Sequence, residues 1–123
     1  MTSPKPSAAT PAAAGLFTQP APKVERRRPL TANVGVLGVG HHTYWPQFPG
    51  LLDEMHRKLG AFERKLARRG VEVISFGMVD EAKSAYAARD RIQTSRLDLL
   101  FCDLVTYATS ATFGVLIRDV NIP

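Results

Sequence analysis

The chain has 123 residues, of which 45% are hydrophobic and 22% charged, and this fits one small domain. No uncharged stretch approaches the roughly 20 apolar residues of a membrane-spanning helix. The single Cys102 cannot close an intramolecular disulfide and no Cys/His spacing matches a zinc module, so disulfide and structural-zinc scaffolds are excluded and a reducing, cytoplasmic setting is expected. The net charge of +5 is concentrated in residues 1–30, with five basic side chains and one acidic; residues 31–123 carry 11 basic and 10 acidic. That near-neutral balance argues against a phosphate-tracking surface and therefore against nucleic acid as a partner.

Residues 1–30 hold six of the nine prolines and an alanine patch, Ala12 to Ala14. Such a segment buries too little apolar surface to offset its ordering entropy, so it is expected to be a disordered basic extension. Arg26-Arg27-Arg28 resembles a twin-arginine leader only faintly, because Pro29 follows at once and no small-residue cleavage site is present.

The ordered pattern begins with Val34–Val39, a short β-branched run between Asn33 and Gly40 that reads as a buried strand. His41 to Gly50 reads as a loop, with Pro46 and Pro49 opposing a regular helix before Gly50. Leu51, Leu52, Met55, Leu59, Phe62 and Leu66 then recur at helical spacing among basic side chains, which predicts an amphipathic helix closed by a left-handed Gly70. Val71–Phe76 reads as a second strand. Asp80 is the expected N-cap of a second helix whose inward stripe is Ala82, Ala85, Tyr86, Arg89 and Ile92. Leu97–Cys102 reads as a third strand, apolar enough to be central. Thr109 or Ser110 caps a third helix bearing Phe113, Leu116, Ile117 and Val120, and Asn121-Ile122-Pro123 resembles a loop entering a fourth strand.

Strands alternating with helices predict an α/β fold: an open three-layer parallel sheet, flavodoxin-like or Rossmann-like, with strand order 2-1-3 and truncated before strand 4. In such sheets ligands bind beyond the carboxyl ends of the strands where the order reverses. Two loops qualify, residues 40–47 and 103–110. Both are rich in hydroxyl, amide and aromatic groups, which suits recognition of a polyol.

Competing chemistries fail on spacing. Gly38-Val39-Gly40 opens a dinucleotide fingerprint, but Thr43 stands at its third glycine and Pro46 interrupts the helix start. His41-His42 lacks a third ligand nearby in sequence, so loop hydrogen bonding is the expected role of the pair. Trp45 and Phe48 fit either a staple on the first long helix or a ligand wall. Asp53 and Glu54 fall in a helix first turn, where the dipole favours them, and with Asp103 they form no acid/base pair.

The segments Val36-Leu-Gly-Val-Gly-His-His-Thr-Tyr-Trp-Pro-Gln-Phe-Pro-Gly50 and Asp98-Leu-Leu-Phe-Cys-Asp-Leu-Val-Thr-Tyr-Ala-Thr-Ser-Ala-Thr112 resemble the N-terminal domain of the L-arabinose isomerase and L-fucose isomerase superfamily, nearer its arabinose isomerase-like branch. The likeness covers residues 31–123. It implies an enzyme that moves a proton between C1 and C2 of an open-chain sugar through an enediol, with a divalent metal, usually manganese. The family's metal-binding and acid/base residues belong to later domains and match nothing in this chain, so no catalytic or metal residue is expected here. The resemblance further implies that the domain covers the active site of a neighbouring subunit in a hexamer. Substrate contacts then fall at His41, Thr43, Tyr44 and Tyr107. His41 stands where arabinose isomerases commonly carry Gln, and Tyr107 where they carry Phe. The alternative expectation is a non-enzymatic sugar-binding or regulatory α/β module.

Overall fold

The computed structural model describes residues 2–4, 20–24 and 30–123. Most of the expected disordered extension, including Arg26 to Arg28, lies outside the described residues.

Three parallel strands, β1 (Ala32–Val39), β2 (Val71–Val79) and β3 (Leu99–Leu104), form one sheet in the order β2-β1-β3. The α/β architecture and strand order expected from the sequence are therefore present. Between the strands lie a single helical turn, α1 (Tyr44–Gln47), and the helices α2 (Leu51–Leu66) and α3 (Ala82–Thr94); α4 (Ser110–Arg118) follows β3. No helix among the described residues is long and apolar enough to cross a membrane.

The two faces of β1 are settled by its alternation. Val34 and Val36 pack with Leu59 of α2 on one side, and Leu37 and Val39 pack with Ala85, Ala88 and Ile92 of α3 and Leu116 of α4 on the other. Right-handed crossovers to opposite sides of β1 produce this arrangement, with α2 on one layer and α3 and α4 on the other. β2 continues past the expected Phe76 to Val79 because it contains a bulge: Val36 faces Ser75 and Leu37 faces Gly77, and Gly77 takes φ 75°. The extra residue shifts the alternation, so Phe76 and Val79 both join the core under α3.

Several sequence expectations shift by a turn or a face. The first long helix ends at Leu66, and its C-cap is Ala67 in extended conformation. Gly70, φ 86°, instead serves the turn into β2, where Val71 N–H donates to Arg68 and the Gly70 carbonyl accepts from Ala32 at 2.7 Å. A Cβ there would run into the Leu30 carbonyl oxygen. Gly70→Ala should consequently cost about 1–3 kcal/mol, from the left-handed conformation and the collision together. Gly60→Ala, in the interior of α2, should instead be neutral or stabilise by about 0.5–1 kcal/mol. Thermal denaturation of the two variants checks the contrast, and equal effects would contradict it.

The α3 stripe is also rotated. Ala85, Ala88 and Ile92 are its buried residues, whereas Ala82 and Tyr86 are exposed. Small side chains let the helix approach the sheet, and the Tyr86 ring lies outside under the Arg89 guanidinium, 4.9 Å from its centroid. Arg89 also reaches Asp119 at 3.3 Å and so ties α3 to the end of α4. Asp119 is held below the usual carboxylate range by its hydrogen bond to Arg118 and by the charges of Arg118 and Arg89. On α4, Leu116 is buried as expected while Ile117 is exposed.

β3 starts two residues later than the apolar run suggests and is not central: it pairs with β1 alone among the described strands and is half-buried along most of its length. Its outer side receives one backbone bond, from Leu100 N–H to the Pro123 carbonyl at 2.7 Å. Burial pushes the Cys102 thiol up from its ordinary value, which disfavours the thiolate.

Candidate functional site

Because the strands are parallel, all three carboxyl ends open onto one rim. The rim is knit by backbone bonds: Gly40 N–H to the Val79 carbonyl at 2.8 Å, His42 N–H to Asp80 at 3.1 Å, and Val105 N–H to Val39 at 3.0 Å. The loop after β1 and the loop after β3 are thereby brought to the same place, as the 2-1-3 order requires.

The β1 loop is more regular than its two prolines suggest. Tyr44–Gln47 makes one helical turn, closed by Phe48 N–H to Tyr44 at 2.9 Å. Pro46 is tolerated there because the first-turn N–H groups of a helix have no intrahelical acceptor. Gly50, φ 84°, then starts α2.

Three of the four expected contact residues converge. The His41 ring stands edge-on to Tyr44, centroids 5.5 Å apart, and to Tyr107, 6.5 Å apart. His42 meets His41 edge-on at 5.2 Å. Thr43 is exposed and precedes α1, and its carbonyl accepts from Gln47 Nε2 at 2.9 Å; no contact of its hydroxyl joins it to the ring cluster. Tyr107 is 68% exposed, so its ring face is open to a ligand.

Within this cluster His41 Nδ1 is fully buried and has no hydrogen-bond partner in the protein. An orphaned buried polar atom costs about 1–3 kcal/mol, which the packing of the ring cluster offsets. The buried nitrogen is closed to a ligand in this conformation, while the flanking rings can pack against C–H groups. A hollow of about 280 Å³ adjoins the cluster, walled by Tyr107, Thr109, Ser110 and Phe113. A hollow of similar size, about 290 Å³, lies at the opposite end near Ile92 and Ile122, but it has no imidazole or tyrosine in its wall.

Trp45 is tied to the ends of the strands. Its indole N–H donates to Asp80 Oδ2 at 2.7 Å, and its ring lies against Gly40, where a Cβ would come within 2.9 Å of the ring and 3.2 Å of Thr106 Oγ1. Phe48 is 54% exposed, with its ring 6.2 Å from that of Tyr44.

Asp80 is the residue sequence reasoning missed. Its expected capping role belongs to Glu81, which precedes α3 and donates its N–H to Ser84 Oγ at 3.1 Å. Asp80 faces the rim instead. The signal that could have found it is its place one residue beyond a parallel strand, the same position that Gly40 and Val105 hold after β1 and β3.

Among the described residues, no three His, Cys, Asp or Glu side chains converge as a possible metal-ligand set. His41 and His42 therefore have no third partner there. No family model matches the chain, and neither a curated protein nor a solved structure matches it.

Proposed function

We propose that this chain supplies the substrate-covering wall of a metal-dependent aldose–ketose isomerase of the L-arabinose and L-fucose kind. The reading rests on the resemblance of the two loop segments, and one observation carries it further: the rings of His41, Tyr44 and Tyr107 meet at the switch-point rim, with Tyr107 open to solvent. A polyol is the ligand class that such a surface suits, since the rings take its C–H edges and the hydroxyl and amide groups of the two loops take its hydroxyls.

In this reading the chain binds and orients the sugar and excludes water from one side of it. The proton transfer between C1 and C2 belongs to groups elsewhere in a larger assembly, a homo-oligomer in which the wall closes over a neighbouring subunit. Manganese or a similar divalent ion would be held there too. The side chains described here do not assemble a metal site, and no step assigned to them passes through the ion. Contacts of this type bind ground state and transition state alike, so their loss raises KM more than it lowers kcat.

An isomerase wall receives the open-chain form of the sugar, which gives a direct test by calorimetry. L-arabinitol, permanently open-chain, should bind this chain in the millimolar range or tighter, and methyl β-L-arabinopyranoside, locked as a ring, should bind at least about fivefold more weakly; about 1 kcal/mol of discrimination suffices for that ratio. Preference for the locked ring, or no binding of either, would overturn the reading.

A further inference from the structure

We propose that the Asp80 carboxylate is a positioning group that clamps the Trp45 indole and so presets the loop carrying His41 and Tyr44 before any ligand arrives. This deepens the polyol-wall reading and, for its consequence on sugar binding, rests on it.

From within, the loop is held by short-range bonds alone, among them Tyr44 N–H to the His41 carbonyl at 3.1 Å, Trp45 N–H to the His42 carbonyl at 3.2 Å and Phe48 N–H to the Tyr44 carbonyl at 2.9 Å. Thr43, the residue before α1, makes no side-chain capping bond, α1 is a single turn, and none of its residues is buried. The restraints that tie it to the sheet come from a residue more than 30 positions away. Asp80 Oδ2 accepts from Trp45 Nε1 at 2.7 Å, and the Asp80 carbonyl accepts from His42 N–H at 3.1 Å with His42 Nδ1 at 3.3 Å. These bonds hold the loop on both sides of Tyr44, the residue that meets His41 edge-on.

Asp80 is itself fixed. Its Oδ1 accepts from Ser84 Oγ at 3.1 Å, and its N–H donates to the same Oγ at 3.1 Å, so the start of α3 sets the direction of the carboxylate. A charged acceptor at 2.7 Å, partly buried, makes a stronger bond than a neutral pair would. The ring of Trp45 completes the clamp by lying against the Cα of Gly40, next to Thr106 of the opposing loop. One carboxylate-bearing residue thus links the end of β2 to the loop after β1. Presetting the loop removes an ordering cost that a ligand would otherwise bear.

Trp45 is the only tryptophan of the chain, so its indole N–H gives a single amide-type signal that reads the clamp directly by ¹⁵N NMR. In the free protein that N–H should be shifted downfield and exchange slowly with solvent. Asp80→Ala should abolish both properties and speed hydrogen exchange at the amides of Tyr44 and Phe48 by at least about tenfold, with the amides of β1 unaffected; Asp80→Asn, which keeps a neutral acceptor, should restore part of the protection. Trp45→Phe keeps a ring against Gly40 but has no N–H to donate, so it should speed the same two amides. That variant carries the test if Asp80→Ala does not fold. A freely exchanging indole N–H in the unmodified chain, or unchanged Tyr44 and Phe48 amides in the variants, would overturn the proposal.

Titration with L-arabinitol separates this inference from the reading beneath it. If the unmodified chain binds the alditol, Asp80→Ala should weaken binding at least about fivefold, as loss of a preset loop requires; unchanged affinity would overturn the claimed consequence. If the unmodified chain binds no alditol, the polyol reading fails, while the exchange measurements still decide whether the clamp exists.

Discussion

Replacing Tyr44 and Tyr107 together by Ala is expected to weaken L-arabinitol binding at least about fivefold, since each ring contact of this kind contributes on the order of 0.5–1.5 kcal/mol. Both rings flank His41, one from each loop, and neither residue belongs to the buried core. Stability should accordingly change little, and the loss should appear in the affinity alone. Tyr86→Ala is the control: it removes an exposed tyrosine from the surface of α3, away from the ring cluster at the rim, and should leave binding unchanged. In an assembled isomerase the double variant should raise KM with little change in kcat. Calorimetric titration of the three proteins is the check, and equal affinity of the double variant and the unmodified chain would remove the tyrosines from the site.

The second large effect is on folding. Leu37 is fully buried at the middle of β1, between partners on β2 and β3 and against α3 and α4. Leu37→Ala removes that packing and leaves a cavity that the flanking strands cannot collapse into, so about 2–5 kcal/mol of stability should be lost. For a domain whose total is on the order of 5–15 kcal/mol, this approaches unfolding. Urea denaturation followed by Trp45 fluorescence measures it, and a loss below about 1 kcal/mol would contradict the central place of β1.

Much of this fold was legible because β1, α2 and α4 announce themselves by unbroken apolar periodicity. Val34 to Val39 could only be a strand buried on both faces, and Met55 and Leu59 lie where the helical spacing put them. The rest depended on tertiary choices that local pattern does not encode. The alanines of α3 are ambiguous as a stripe until the sheet beneath selects Ala85 and Ala88 over Ala82. The bulge at Phe76 depends on Gly77 taking a left-handed conformation within a single strand. Gly70 reads as a helix cap and as a turn residue equally well until Ala32 claims its carbonyl.

The candidate site divides along the same line. The two loops were accessible because a parallel sheet of order 2-1-3 puts the segments after β1 and β3 side by side, whereas the choice of His41, Tyr44 and Tyr107 within them is what the resemblance implies. Asp80 was hidden because an aspartate before a helix is ordinarily a cap, and only the orientation of Trp45 reveals the other use of its carboxylate. The pairing is long-range, and no spacing in the chain advertises it.

The central claim is that the loops after β1 and β3 form one polyol surface. Its most direct test is a ¹⁵N and aromatic ¹³C NMR titration of this chain with L-arabinitol, assigned residue by residue. The account predicts saturable shifts concentrated at His41, Tyr44, Thr106 and Tyr107, with the strands between them unmoved. Shifts centred instead on the hollow near Ile92 and Ile122, or no saturable shift at any residue, would contradict it.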